Sequence, residues 1–300
     1  MQVEKLVVIG VGLIGASCAL ALRAAGGVRH VVGVGRSPEN LQRALARGVI
    51  DRSALLEDDW TREIVDADFV LIAIPVAQYR ETLGALASAL DPRAVVTDAG
   101  STKQDVVRAA RELLNDRLPQ FVPGHPIAGN ERSGSEAGDA SLFVGRQVIL
   151  TPLPETSPAA LARVEEFWTA CGARVERLDP ARHDRILAAV SHLPHLLAST
   201  LVSELASRQD SVEYLSNAGS GFRDFTRIAG SSPEMWRDIA LANRDALLTE
   251  LAAYRSAIEA LMLSIEHGDR AALDTMLARA AQTRRHWGET AAGVGSGAAT

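Results

Sequence analysis

Gly10-Val-Gly-Leu-Ile-Gly15 decides the fold. An apolar run, Leu6-Val-Val-Ile9, precedes it, and Ala16-Ser-Cys-Ala-Leu-Ala-Leu22 follows. That order reads as strand, glycine turn, helix. The first glycine permits the tight turn. The second lets the backbone approach a pyrophosphate, and the third lets helix and strand pack closely. The helix then presents free N–H groups and the positive end of its dipole to phosphates. Gly10, Gly12, Leu13, Ile14 and Gly15 are therefore candidate cofactor-binding residues. A glycine turn without a ligand is the simpler alternative, but it gives no reason for this spacing.

Outward from this turn, strand and helix patterns alternate. Strands are expected at His30–Val34, Phe69–Ile74 and Ala94–Asp98, then at Gln120–Gly124, Gln147–Leu150 and Arg174–Leu178. Helices are expected at Pro38–Ala46, Ala77–Leu90 and from Lys103 to about Leu114. The alternation implies a parallel sheet covered by helices on both faces. After Asp179-Pro180 the strand signals cease. Ala181–Ser207 is helical, with Pro194 expected to bend or interrupt it. Ser231-Ser-Pro-Glu234 resembles a capping box opening a helix to about Glu266, and a last helix follows from Arg270 to His286. We expect an α/β doubly wound domain over 1–180, an all-helical domain over 181–287, and a disordered tail over 288–300.

The chain has 300 residues, 47% apolar content and a net charge of −6. The length allows about two domains. The acidic balance speaks against a nucleic-acid or anionic-membrane partner. Cys18 and Cys171 make no disulfide framework, and no cluster has metal-ligand spacing. The chain starts in a strand with no secretory pattern, and no long uninterrupted apolar run suggests a membrane span, so a cytoplasmic location is expected.

Ligands of an open α/β sheet lie beyond the carboxyl ends of its strands, and several unusual segments follow strands there. In Asp98-Ala-Gly-Ser-Thr-Lys103, Ser101 is placed to cap the next helix or to donate to a substrate. Lys103 is placed to pair with Asp98 or to attract an anion. In Gly124-His-Pro-Ile-Ala-Gly129 a histidine sits between Gly and Pro in a loop, an unusual place for a core histidine. Histidine is the side chain best suited to proton transfer near neutral pH. Asn130 and Glu131 follow it and border the same cleft. Ser191-His-Leu-Pro-His195 sets His192 and His195 on one helical face, for substrate or nicotinamide contacts rather than metal. Gly219–Arg227 carries Arg223, Asp224 and Arg227, an anion-recognising set or a salt-bridge cluster. Met235-Trp236 nearby reads equally well as core.

Taken together these segments resemble the prephenate/arogenate dehydrogenase family of tyrosine biosynthesis. The matching pieces are GVGLIG at 10–15, DAGSTK at 98–103, GHPIAG at 124–129, SHLPH at 191–195 and GFRDFTRIAGSSPEMWRDI at 221–239. The resemblance implies a Rossmann-type domain followed by a helical dimerisation domain, hence a homodimer. It implies oxidative decarboxylation, with hydride passing to a nicotinamide cofactor. By similarity His125 deprotonates the 4-hydroxyl, Ser101 hydrogen-bonds the hydroxyl or orients His125, and Arg227 binds a substrate carboxylate. His192, His195, Glu131 and Trp236 would line the site. Prephenate is the expected substrate, with arogenate or dual use the alternative. A hydroxyacid dehydrogenase or imine reductase would not be expected to combine these motifs, and a dead-site sensor would lack His125 or Arg227.

The cofactor's ribose is read from the second strand. NAD enzymes usually end it with an acid that accepts from the 2′-hydroxyl. Here the strand closes as Val31-Val-Gly-Val-Gly35, and Arg36-Ser37 follow. A small residue leaves room for a 2′-phosphate, Arg36 supplies charge, and Ser37 donates to it or caps the next helix. NADP is favoured, with NAD the alternative.

Overall fold

The structure is a computed structural model. It describes residues 2–129 and 132–295, with side chains through 288. The chain divides into two compact units, 1–244 and 245–300.

In the first unit β1 (Val3–Ile9), α1 (Leu13–Ala24), β2 (Val28–Gly35), α2 (Pro38–Ala46), β3 (Arg52–Leu55), β4 (Phe69–Ile72), α3 (Tyr79–Ala89), β5 (Val95–Asp98), α4 (Gln104–Leu113) and β6 (Phe121–Val122) follow one another. Their six strands form one sheet in the order β3-β2-β1-β4-β5-β6. Every pairing in it is parallel. Strands β1 and β4 are buried almost throughout, as expected of strands covered on both faces. The core lies in two layers, one on each face. Phe69, Phe167 and Trp168 fill one, and Tyr79, Leu83 and Phe121 the other. The order reverses between β1 and β4, so a crevice opens at their carboxyl ends. The edge strand β3 carries no clear sequence signal, because it is four residues long and only half buried.

The expected strand at 120–124 is in fact two. Pro123 separates β6 from β7 (Gly124–Pro126), which leaves the main sheet. With β8 (Gln147–Leu150) and, after α5 (Pro158–Ala170), β9 (Arg174–Arg177), it builds a second sheet ordered β7-β8-β9. β7 runs antiparallel to β8, with His125 opposite Ile149. His125 therefore stands on a strand, not in a loop.

Helices α6 (Pro180–Leu187) and α7 (Leu193–Ala206) are joined by a π-helical turn over Ala188–His192. Pro194 explains the turn. Its ring lacks an N–H and would crowd a carbonyl one turn back, and the wider π-turn relieves both. By length and composition the run Pro180–Ala206 would also cross a bilayer, yet it carries His183, Asp184, His192 and His195 buried among protein groups. Two short helices follow, α8 (Ser211–Ser216) and α9 (Ser220–Thr226), and the second occupies the stretch read as a glycine-led turn. The long helix expected from 231 is broken into α10 (Pro233–Ala242) and α11 (Arg244–Glu266) at Asn243. Ser232, rather than Ser231, caps α10, accepting from the Met235 N–H. In the second unit α12 starts at Arg270 and runs to Gly295, past the end expected at His286, so residues 288–295 continue a helix. Residues 296–300 of the expected tail lie outside the described residues.

Candidate active site

The glycine turn sits at the carboxyl end of β1. Gly10 has φ +98°, and a Cβ there would meet the Ala73 carbonyl oxygen at 2.3 Å, at the end of β4. Gly15 is equally constrained, since a Cβ would lie 2.2 Å from the Gly10 oxygen. Gly12 differs. It stands at the N-cap of α1 with no side-chain cap, and a Cβ there would meet nothing within 4 Å. The open side of Gly12 and the uncapped N–H groups of α1 fit a pyrophosphate. Leu13 is buried and Ile14 packs against the core, so only their backbones face such a ligand. At the end of β2, Arg36 is exposed. The Ser37 hydroxyl is committed: it accepts from the Asn40 N–H at 3.1 Å and donates to Glu39 at 2.7 Å. Ser37 is thus a helix cap.

The second cluster is assembled from distant residues. Lys103, fully buried, donates to Asp98 and, at 2.8 Å, to the carbonyl of Gly124. Asp98 in turn accepts from the N–H groups of Gly100 and Gly124 at 2.8 and 2.9 Å. This buried pair clamps the strand that carries His125, and of the two readings of Lys103 the structural one holds. Ser101 lies in the same turn but does not cap α4. The groups at that helix's start, Lys103 N–H and Gln104 N–H, donate to the Asp184 carboxylate, both at 2.8 Å.

Asp184 also accepts from His183 Nδ1 at 2.8 Å. Burial alone would raise its carboxyl, but His183 and the two backbone N–H groups hold it below the usual carboxylate range. His183 Nε2 lies 2.9 Å from His125 Nδ1. The partners fix the tautomers. A carboxylate can only accept, so a neutral His183 carries its proton on Nδ1 and accepts at Nε2. His125 must then donate from Nδ1, which leaves the lone pair on its Nε2. Burial pushes the His125 imidazolium well below its ordinary range, and His183, Lys103 and His192 reinforce that. His125 is held neutral, with the lone pair on Nε2.

Asn243 closes the other side. Its Nδ2 donates to the Asp184 carbonyl at 2.8 Å and to His192 Nδ1 at 3.1 Å. The carbonyl requires a donor, so the amide orientation follows, and the His192 proton sits on Nε2. That nitrogen is buried without a hydrogen-bond partner among the described residues. Burial lowers His192 to about 4. His195 stacks on Trp236 with centroids 3.5 Å apart, and His192 meets the same indole edge-on at 6.1 Å. The Trp236 Nε1 is likewise buried and unpartnered among the described residues, and the Ile228 backbone lies against the His195 ring. Buried polar groups left this way suit a polar ligand. Burial also lowers His195.

The structure thus brings His125, His192, His195 and Trp236 into one neighbourhood. Arg227 is exposed on a 3-10 turn over Arg227–Gly230, and that turn packs against α7, which carries His195. Glu131 lies outside the described residues. His183, Asp184 and Asn243 are the members that sequence reasoning missed. Their available signals were a His-Asp pair just after a helix start and a lone Asn inside an apolar helical pattern.

The sequence matches the family "Prephenate dehydrogenase, nucleotide-binding domain" over residues 18–177. It matches "Prephenate dehydrogenase, dimerization domain" over 179–279. The chain belongs to the prephenate dehydrogenase family. A prephenate dehydrogenase of Bacillus subtilis is 36% identical over 89% of this chain and 71% of its own length. A cyclohexadienyl dehydrogenase of Zymomonas mobilis is 36% identical over 89% of this chain and 90% of its own. The crystal structure of Aquifex aeolicus prephenate dehydrogenase with hydroxyphenyl propionate and NAD+ superposes with a TM-score of 0.89. It is 34% identical and covers 95% of this chain and 99% of the other.

Proposed function

We propose that this chain oxidises and decarboxylates prephenate to 4-hydroxyphenylpyruvate in tyrosine biosynthesis. The observation that carries the reading is the Asp184–His183–His125 series, which leaves one neutral imidazole nitrogen aimed away from its own partners. A bound nicotinamide supplies the hydride acceptor. His125 Nε2 takes the proton of the 4-hydroxyl as hydride leaves the carbon bearing it. The bond to the ring carboxylate breaks, CO₂ leaves, the ring becomes aromatic, and the phenolate oxygen takes the proton back from His125. Ser101 hydrogen-bonds the hydroxyl, Arg227 holds a substrate carboxylate, and His192, His195, Glu131 and Trp236 line the pocket.

Gly10, Gly12, Leu13, Ile14 and Gly15 would hold the dinucleotide. Gly35 and Arg36 favour NADP over NAD, by leaving space and charge where an acid would repel a 2′-phosphate. Ser37 no longer supports that preference, and the Glu39 carboxylate beside it pulls towards NAD. Residues 1–180 would bind the cofactor and 181–287 would complete the site and form a homodimer in the cytoplasm. The dimer is supported by Tyr254, Ile258, Met262 and Ile265, exposed at spacings that make one stripe along α11. Arogenate, or both substrates, is the second reading. It is favoured by the Zymomonas relative and by the crystal structure of Synechocystis arogenate dehydrogenase, 30% identical with a TM-score of 0.79 over 95% of this chain and 100% of the other.

The deciding experiment supplies purified protein with prephenate or arogenate and with NAD or NADP, following reduced nicotinamide and CO₂ together. Reduction with CO₂ release from prephenate is expected. Neither product with either substrate overturns the reading.

A further inference from the structure

Asn40 joins two regions that no local pattern connects. It lies in the first turn of α2, just beyond the strand end that meets the cofactor's ribose in the reading above. Its Nδ2 donates to the carbonyl of Val11 at 2.8 Å. Its Oδ1 accepts from the Ser135 N–H at 2.7 Å, and its own carbonyl accepts from Ser135 Oγ at 3.0 Å. Val11 is the residue between the first two glycines of the turn. A trans peptide is planar, with C=O and N–H pointing in opposite directions. The Val11 carbonyl and the Gly12 N–H share one such plane, so holding the carbonyl from the Asn40 side aims the N–H away from it. Gly12 is also the glycine beside which the protein leaves open space.

We infer that Asn40 is a positioning residue for the cofactor's pyrophosphate: it orients the Val11–Gly12 peptide and is itself braced by the 134–138 turn. A free glycine turn samples many peptide orientations, and glycine loses more freedom on ordering than any other residue. Asn40 removes that freedom before the ligand arrives. The brace belongs to the stretch of chain that follows His125, so the turn that binds phosphate and the segment that carries the base share one fastening.

A merely structural Asn40 would pin the 134–138 turn and nothing else. Arg47 provides the contrast. It donates to the carbonyls of Ser135 and Gly138, on the same turn, and none of its hydrogen bonds among the described residues reaches the glycine turn. The inference rests on Gly10–Gly15 being the cofactor turn. The test compares wild type, Asn40→Ala and Arg47→Met. Two probes compete with the dinucleotide: ADP-ribose, which carries the pyrophosphate, and adenosine, which lacks it. Asn40→Ala should weaken ADP-ribose and raise the cofactor KM by about tenfold, the scale of one hydrogen bond whose partner is left unsatisfied. Adenosine inhibition and kcat at saturating cofactor should stay within about twofold. Arg47→Met should lower the unfolding midpoint and leave ADP-ribose binding within about twofold. Equal loss in both variants, equal loss of adenosine and ADP-ribose, or an unaffected Asn40→Ala overturns the inference alone. A wild type that binds neither ADP-ribose, NAD nor NADP overturns the cofactor reading beneath it. Should Asn40→Ala not fold, Asn40→Ser carries the same expectations, because its hydroxyl does not reach Val11.

Discussion

The two halves of the candidate site are built in opposite ways. The glycine turn is carried on six contiguous residues and presents backbone to its ligand. The histidine cluster draws on β7, α6, the π-turn, α7, α10 and the break after it, and presents side chains. A backbone site tolerates few substitutions but needs few partners. A side-chain site holds only if each member is held by another. The first should fail by misfolding or by losing the cofactor, and the second by losing rate.

The widest gap is expected at His125. His125→Asn should lower kcat by about 10²–10⁴, the usual contribution of a general base, while substrate KM changes little. Wild-type turnover in this variant would remove the base from the cluster. With its imidazolium depressed, His125 should stay active on the acid side of the ordinary histidine range, so the acid limb of kcat/KM should fall below pH 6.5.

Asp184→Asn tests whether the cluster is one device. It should cost roughly 2–3 kcal/mol of stability through the two helix N–H groups, and should also lower kcat by freeing the His183 tautomer. Urea unfolding and kcat measured on the same preparation separate the two. A loss of stability with unchanged kcat would reduce Asp184 to a helix cap.

Acid stability gives a similar figure from another residue. His192 takes up its proton near pH 6.5 when unfolded and near 4 when folded. Between those values the unfolded chain binds more protons, so stability falls as pH falls through this window and is unaffected above it. The shift corresponds to roughly 3 kcal/mol. His192→Gln should flatten that part of the slope, measured by urea unfolding at pH 5 and pH 7.5, with His125 and His195 contributing to what remains.

The glycines sharpen the comparison from the backbone side. Gly15→Ala should lose about 1–3 kcal/mol of stability, because its methyl meets the Gly10 carbonyl and Val8. Gly12→Ala should unfold near wild type and instead raise the cofactor KM. Smallest is the ribose pocket. Wild type should prefer NADP in kcat/KM, and Gly35→Asp with Arg36→Ala should shift the ratio towards NAD. A tenfold wild-type preference for NAD, about 1.4 kcal/mol, would sink the reading of Arg36.

Legibility in the sequence follows the same divide. The strand, turn and helix around Gly10–Gly15 were readable because the glycine spacing and the flanking apolar runs are local, although the Asn40 contact to Val11 is not. So were His125, His192 and His195, because histidines in Gly/Pro or paired contexts are unusual. His183, Asp184 and Asn243 were not, since a lone His, Asp or Asn on a helix reads as surface or satisfied core until its partners, 51–81 residues away, are known. The helix break at Asn243 was hidden for the same reason: its side chain leaves the helical pattern to serve residues 184 and 192. The capping alternative for Ser101 fails because the start of α4 is held by Asp184, from another part of the chain.

The π-turn at 188–192 bears on how this lineage can change length. Such a turn holds one residue more than an α-turn, and helices commonly acquire and lose that extra residue by insertion and deletion. Here His183 and His192 stand nine positions apart, and nine steps of about 100° would set them on opposite sides of an ideal α-helix. Asn243 bridges the Asp184 carbonyl before the turn and His192 Nδ1 at its end. A deletion anywhere in Ala188–Val190 would press the Pro194 ring back against the preceding turn and would rotate His192 and His195 out of phase with His125.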